Sequence, residues 1–362
     1  MLKVLLEAQL PQGIEVAFHY LKGALPPRTP SKKKLKQPLP ETQFLTVYEA
    51  DLLILALEVL VYKAENLTTV YISKADSTGC HSKGVSLSTL ALCFLKQLLA
   101  QQIGKVRLVL FARSQPQYLF PGSSENEGKH LLGDRELVHW WVGILERLRG
   151  ISKDATACII VPGSDDQEVE RTYLAGYKAG WRVGFTDSPQ ALAKDVLLRF
   201  PDDPKARFLD QLSLDKAIDT TSLAQFWELM AYRQEMSSGR SVAFLQLDTV
   251  SEYPADTNVP SWDFLDLSDK KLAMLRDELG AQTFTSREET LLASERWLRL
   301  VPASTDGDAK PVCVFGRATL KTVAKADGKT INASKTSEMH KRPASDTQPN
   351  ILVPRKRQRP KP

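Results

Sequence analysis

Three stretches of this chain combine residue types and spacings that can carry chemistry. The first, Lys74-Ala75-Asp76-Ser77-Thr78-Gly79-Cys80-His81-Ser82-Lys83-Gly84-Val85-Ser86, is a polar, glycine-bearing loop between a strand-like segment and a helix start. Exposed N–H groups and the positive end of a helix dipole suit such a loop to phosphate. The spacing Gly79-x4-Gly84-Val85-Ser86 imitates a P-loop, yet Val85 stands where lysine is needed, which disfavours nucleotide hydrolysis. The same glycines serve equally well in an ordinary connection.

The second stretch is Arg113-Ser114-Gln115-Pro116-Gln117-Tyr118-Leu119-Phe120-Pro121, followed by a polar loop, Gly122 to Lys129, and the pair Trp140-Trp141. Adjacent residues on a helix point about 100° apart, so one tryptophan can be core while the other lines a cleft, or both can be buried. Tyr118 reads as a hydroxyl donor or a packed tyrosine. The third is Phe200-Pro201-Asp202-Asp203-Pro204-Lys205-Ala206-Arg207-Phe208, a rigid charged turn between prolines. Pro204 fits the first helical position with Asp203 as its N-cap. The alternative is a carboxylate held against a substrate ammonium or acting as a base.

The elements that must position these residues alternate in pattern, which argues for α/β or α+β layers around a sheet. Phe44 to Val47, Leu52 to Tyr62 and Thr68 to Ser73 read as consecutive strands, antiparallel across short turns. Val85 to Ala100 carries a helical apolar stripe with Ser86 as N-cap, and Lys105 to Ala112 is again a strand. Asp134 is expected to cap a helix bearing Leu137, Trp140, Trp141, Ile144, Leu145 and Leu148. Ala155 to Val161 and Trp181 to Phe185 follow as strands around a polar helix, Asp166 to Tyr177. Ser222-x-x-Gln225 is a capping box for a helix from Leu223 to Met236, Ser241 to Leu247 closes the sheet, and Asp263 to Leu279 and Arg287 to Leu300 are late helices.

At 362 residues, with 43% apolar and 25% charged residues, the composition is that of an ordinary soluble globule of one large domain or two smaller ones. The longest apolar run is strand-length and the amino end lacks a signal-peptide pattern, so an intracellular protein is expected. Four scattered cysteines and five scattered histidines signal neither disulfides nor a metal site. The net charge of +5 is segregated: Lys22 to Lys36 holds six basic residues and no acid, and Arg317 to Pro362 carries +9, which leaves −10 on the rest. Residues 317–362, without aromatics and rich in proline, are expected to be a disordered basic tail, and 25–40 a basic exposed loop within a folded part spanning 1–316. The basic clusters Lys341-Arg342 and Arg355 to Arg359 have the layout of a two-part nuclear import signal or a polyanion contact.

Taken together, the motifs Ile72 to Asp76, Gln117 to Pro121 with Ser123-Ser124, Lys129-His130 through Trp140-Trp141, and Phe200 to Phe208 resemble the fungal histone H3 lysine acetyltransferases of the regulator-of-Ty-transposition family, relatives in fold of CBP-type acetyltransferases. Val161-Pro162-Gly163 and Phe226-Trp227 extend the resemblance over roughly residues 44 to 245. It implies one large α/β domain, a mixed central sheet wrapped by helices, with acetyl-CoA as substrate and no metal. By matching position it implies cofactor contacts at Ala75, Asp76, Ser77, Gly84, Val85, Ser86, Leu87, Ser88, Phe111, Gln115, His130, Leu131, Leu132 and Trp140. Trp141 and Tyr118 would line a lysine tunnel, Asp203 would be the catalytic carboxylate with Asp202 beside it, and Lys205 would be acetylated by the protein itself. The family can carry arginines where this chain has Gly84 and Ser88, which leaves CoA phosphates to Lys83 or backbone.

The resemblance further implies acetylation of core and tail lysines of histone H3 in the nucleus, on H3–H4 presented by histone chaperones of the anti-silencing and nucleosome-assembly types, in replication-coupled nucleosome assembly and genome stability. The competing reading is a non-catalytic chromatin-binding module whose basic arms touch DNA. The acetylation reading requires the turn near Asp76 to adjoin the Asp203 corner across an aromatic passage.

Overall fold

The chain opens with helix α1 (Leu2–Gln9) and four strands, β1 (Glu15–Ala24), β2 (Glu41–Glu49), β3 (Leu52–Lys63) and β4 (Thr68–Ser77). Helix α2 (Leu87–Ala100), strand β5 (Gly104–Ala112), helix α3 (Asp134–Arg149) and strand β6 (Thr156–Ile160) come next. They are followed by α4 (Asp166–Tyr173), β7 (Trp181–Val183), α5 (Ala193–Val196), α6 (Pro204–Leu214), α7 (Leu223–Ala231) and β8 (Ala243–Ser251). The last elements are β9 (Leu265–Asp266), α8 (Asp269–Gly280), α9 (Arg287–Ala303) and β10 (Val312–Phe315). This computed structural model describes residues 1–24, 37, 39–150, 154–177, 180–233, 241–251, 264–305 and 309–319. Most of the expected basic loop and all of the tail beyond Thr319 lie outside the described residues. Met1–Val323 packs as one unit, and the other unit, Ala324–Pro362, is not among the described residues.

The described strands form one mixed sheet in the order β10-β1-β2-β3-β4-β5-β8-β6-β7, with β9 pairing beside β1. β3 is buried along almost its whole length because both of its faces are covered, which is why it reads as a continuous apolar run. One face packs under α1, α2 and α3 through residues such as Leu57, Ile72, Leu95 and Ile144. The other packs under α8 and α9 around Phe44, Leu53, Phe284 and Trp297. Further along that second face, α6 and α7 cover β8 through Phe208, Phe226 and Phe244. Among the described residues, no helix is long and apolar enough to cross a membrane.

The expected strands at 44–47, 52–62 and 68–73 are present, longer and antiparallel. Ser86 caps α2 by accepting the Thr89 N–H at 3.3 Å, and the Ser222/Gln225 capping box is formed in both directions. Four expectations are corrected. Gly133, not Asp134, is the N-cap of α3; Glu136 accepts the Gly133 N–H at 2.8 Å and Asp134 sits in the first turn, where its charge suits the dipole. The helix expected to reach Tyr177 ends at Tyr173, and the one expected from Asp263 begins at Asp269 after Ser268. The segment expected to close the sheet, Ser241 to Leu247, is interior: β8 lies antiparallel between β5 and β6. Helix α1, the interior strand β1 and the edge strand β10 are not predicted by the sequence pattern.

One irregularity positions the site. Between β3 and β4 the pairing passes from Val59↔Ile72 to Glu58↔Lys74, so Ser73 is an extra residue. An inserted residue turns every side chain beyond it to the opposite face. Ile72 and Ala75 therefore both pack toward α2 and α3, while Asp76 turns toward the α8–α9 side. The Ser73 hydroxyl donates to Glu58 Oε1 at 2.9 Å, and Arg276 of α8 pairs with Glu58 Oε2 at 2.7 Å. Both partners of that ion pair are largely removed from water. Glu58→Ala is expected to cost about 3–5 kcal/mol in urea denaturation, because it leaves a buried guanidinium unpaired, and the double replacement Glu58→Leu/Arg276→Met should recover most of that loss.

Candidate active site

β4 and β5 are parallel, and their carboxyl ends open into a cavity of about 400 Å³. Crevices at the carboxyl ends of parallel strands are where α/β sheets accept ligands, because the loops there diverge. From the end of β4 come Ala75, Asp76 and Ser77, and from the start of α2 come Ser86, Leu87 and Ser88. Phe111 at the end of β5 and Gln115 and Tyr118 in the following loop form a second wall. His130, Leu131 and Leu132, with Trp140 and Trp141 on α3, form the third. Two expected members fall elsewhere. Gly84 is exposed beside the tip of the Ile14 side chain, and Val85 points into the core at 4% exposure, so neither lines the cavity.

Asp76 holds the cavity together. Its Oδ2 accepts the N–H groups of Tyr118, Leu119 and Phe120 at 2.7, 2.8 and 3.1 Å. Its Oδ1 accepts from Lys129 Nζ at 2.7 Å and from the Ser77 N–H at 2.9 Å. A carboxylate has about four lone-pair sites, so these donors saturate it and make it an organiser of the 118–120 loop. Lys129, almost fully buried, also donates to Ser123 Oγ at 2.7 Å. Gly79, with a φ of +87°, lets the β4–α2 loop touch this lysine: a Cβ there would lie 2.4 Å from the Lys129 nitrogen. Sequence reasoning missed Lys129 and Ser123 as structural partners, since nothing in the local pattern marks a lysine as buried.

The tryptophans divide the two roles that the sequence left open. Trp141 is 5% exposed and packs into the core, Trp140 is partly exposed, and their rings meet edge to face at 4.7 Å. Both still line the cavity. The Tyr118 hydroxyl donates to the Arg113 carbonyl, and burial, reinforced by Asp76, pushes its pKa above the usual tyrosine value. Tyr118 is thus a neutral wall at physiological pH. His81, also on the wall, has its pKa lowered by burial, against the opposing charge of Glu49.

At the third stretch Asp203 is the expected helix cap and also holds the ammonium of Lys205. Its Oδ1 accepts the Lys205 N–H at 2.9 Å as the N-cap of α6, and its Oδ2 accepts from Lys205 Nζ at 2.5 Å. Asp203 is 1% exposed and lines no part of this cavity. Asp202 is by contrast exposed, in a left-handed conformation with a φ of 59°, and lies 4.0 Å from Lys74 Nζ of β4. Phe200 stacks flat on Tyr71 at 4.0 Å, and burial followed by the Asp203 charge raises the pKa of Tyr71.

The two regions adjoin. Phe111, a wall of the cavity, stacks on Phe244 at 4.7 Å, and Lys205 Nζ lies over the Phe244 ring at 4.5 Å. The cavity, its paired tryptophan wall and the buried carboxylate holding the Lys205 ammonium are thus linked through two stacked rings. The chain belongs to the histone acetyltransferase KAT11-type domain family. That domain matches residues 2–103 and 93–350. The chain is 32% identical over 373 residues to histone acetyltransferase rtt109 of Schizosaccharomyces pombe, with 96% of each chain covered. It is 37% identical over 318 residues to histone acetyltransferase rtt109 of Aspergillus flavus, where 67% of this chain is covered but only 55% of the longer relative. A crystal structure of Rtt109 from Aspergillus fumigatus superposes with a TM-score of 0.76 at 28% identity, covering 88% of this chain and 100% of that one. Acetyltransferases of this family use acetyl-CoA as acetyl donor and histones as substrates.

The cavity's apolar walls suit the acyl arm of that donor, and the α2 amino end at its rim suits the donor's phosphates. Asp76→Asn turns an acceptor into a donor facing three N–H groups. Amide exchange at Tyr118, Leu119 and Phe120 is expected to accelerate roughly 10- to 100-fold, the scale of one or two charge-assisted hydrogen bonds, as read by hydrogen–deuterium exchange.

Proposed function

We propose that this protein transfers acetyl groups from acetyl-CoA to core and tail lysines of histone H3. On this reading it works in the nucleus, on H3–H4 presented by histone chaperones of the anti-silencing and nucleosome-assembly types, in replication-coupled nucleosome assembly and genome stability. The observation that carries the reading is the contact of the cofactor-side cavity with the Asp203–Lys205 pair through Phe111 and Phe244. The −10 charge left outside the basic segments supports a basic protein substrate, since complementary potentials speed encounter.

The thioester of acetyl-CoA supplies an already activated acyl carbon, so no protein nucleophile is needed. What limits attack is the amine: free lysine has a pKa near ~10.4 and is mostly protonated at neutral pH. Trp141, Trp140 and Tyr118 wall a water-poor passage, where an ammonium is disfavoured against the neutral amine. Asp203 accepts a hydrogen bond from the incoming ammonium and passes its proton toward solvent through Asp202, which is exposed beside it. The carbon–nitrogen bond then forms as the carbon–sulfur bond breaks, and the sulfur leaves with the electron pair and takes up the second nitrogen proton as CoA thiol.

In the present arrangement Lys205 occupies the position at Asp203 that a substrate ammonium needs. That supports the expectation that Lys205 is itself acetylated, which would remove its charge and release the carboxylate.

Two measurements test this reading. Asp203→Asn should retain the calorimetric heat of acetyl-CoA binding but lower acetyl transfer to H3–H4 by about 10²–10⁴-fold, the usual range for a lost proton-transfer group; unchanged turnover rejects the role, and a wild-type protein without binding heat favours a non-catalytic chromatin module. Wild-type protein incubated with acetyl-CoA should gain the mass of one acetyl group, mapped to Lys205, and a peptide map without it rejects the modification.

A further inference from the structure

Where the cavity adjoins the start of α6, the charged side chains fall into pairs, and three of these are closed. Asp76 holds Lys129 at 2.7 Å, Glu58 holds Arg276 at 2.7 Å and Asp203 holds Lys205 at 2.5 Å. Both side chains of each pair are largely removed from water, so their charges nearly cancel for any group farther off. The fourth pair is open. Lys74 Nζ lies 4.0 Å from Asp202 Oδ2, too far for a hydrogen bond, and the lysine side chain is 20% exposed against 81% for the aspartate. Water screens the carboxylate well and the ammonium far less. A net positive potential remains on the protein side of this pair.

The bulge at Ser73 puts the lysine there. Lys74 pairs with Glu58 across β3 and precedes Asp76 by two residues, so it shares the face that Asp76 occupies. It belongs to the cavity wall and also reaches Asp202, and so spans the two regions that acetyl transfer must bring together. The neighbouring tyrosines add no charge: burial first, and then Asp203, raise the pKa of both Tyr62 and Tyr71. His81, Tyr118 and His130 complete the titratable side chains of the cavity wall.

We propose that the Lys74 ammonium lowers the pKa of the substrate lysine at this corner and so favours the neutral, attacking amine. The proposal rests on the acetyl-transfer reading given above. An arriving ammonium meets the exposed Asp202 first and the Lys74 charge deeper in, where a second cation disfavours its charged form. The substrate nitrogen gives one proton to Asp203 and, through Asp202, to solvent. It then attacks the acyl carbon: the carbon–nitrogen bond forms, the carbon–sulfur bond breaks, and the sulfur leaves with the electron pair and the second nitrogen proton as CoA thiol. Lys74 keeps its own protons throughout. It acts by charge through space, as a positioning residue, and needs no contact with the acyl group.

The test is the pH profile of a single turnover, with the full chain and acetyl-CoA in excess over H3–H4, so that product release does not mask the chemical step. In wild-type protein the midpoint of the rising limb reports the bound amine. Lys74→Met is expected to move that midpoint up by about one pH unit, the effect of one nearby charge, which slows transfer near neutrality by about tenfold and leaves the rate at high pH close to wild type. Lys74→Arg keeps the charge and should keep the midpoint. A Lys74→Met rate lowered equally at every pH, with the midpoint unmoved, gives the lysine a packing role and overturns the proposal. A Lys74→Arg midpoint displaced as far as that of Lys74→Met overturns it as well. Should Lys74→Met fail to fold, Lys74→Gln, equally uncharged but with a polar end for this partly exposed position, is read in the same way. A wild-type protein that transfers no acetyl group refutes the functional reading itself, whereas a wild-type profile shared by the neutral variants refutes the role of Lys74 alone.

Discussion

The cavity depends on a single buried carboxylate. Asp76 lies at the end of a sheet strand, and without it nothing among the described contacts ties β4 to the backbone of Tyr118, Leu119 and Phe120. A buried charge survives only when every lone pair is matched, and here four main-chain donors and the Lys129 ammonium do the matching. The arrangement is therefore close to all-or-none: moving the loop strands the carboxylate, and neutralising the carboxylate strands Lys129. The bulge at Ser73 is upstream of this, because it decides which face Asp76 occupies. The Glu58–Arg276 pair, seated on α8, in turn holds the bulge. A helix late in the sequence thus helps to define a wall built from residues two hundred positions earlier.

Beyond the Phe111 wall, at the start of α6, the controlling fact is competition for one carboxylate. Asp203 is the helix cap of α6, so its position is fixed by backbone hydrogen bonding and does not require a ligand. Its second oxygen is free to hold one ammonium, and Lys205, two residues on, is held there against the faces of Phe200 and Phe244. Proximity in the chain makes this internal pair effectively concentrated relative to any lysine arriving on another protein. The Phe111–Phe244 stack separates that pair from the cofactor-side cavity by no more than the thickness of two rings.

Much of the fold was legible in the sequence because the signals were local. Ser86 and the Ser222/Gln225 box marked helix starts correctly, and β-branched runs marked β2 to β4. What was not legible depended on partners far along the chain. β1 carries His19 and Lys22 within its apolar run and gains its strand character from pairing with β2, β9 and β10. The interior position of β8 cannot be read from its own residues, since an interior strand and an edge strand of that length can share the same apolar content. At the site, the motif segments identified the right neighbourhood, but spacing alone did not separate wall from core. Gly84 and Val85 look like loop residues in sequence, yet one abuts Ile14 and the other fills the core. Asp203 shows why cap and charge partner cannot be separated by spacing: one oxygen caps α6 while the other holds Lys205.

Charge at the rim of the cavity follows the same logic of partners from elsewhere. Gly84 and Ser88 leave the β4–α2 loop without arginines, which by itself would weaken attraction for a polyphosphate. Arg147, from the last turn of α3, donates to the Ser88 hydroxyl at 3.2 Å, so a guanidinium is delivered to the amino end of α2 by a different helix. There its charge adds to that of the helix terminus, and the two act on the same side of the cavity mouth. A guanidinium can therefore reach the rim although the loop that forms it carries Lys83 and no arginine. The identity of residue 88 then matters through its hydroxyl, which fixes where the guanidinium sits, more than through any charge of its own.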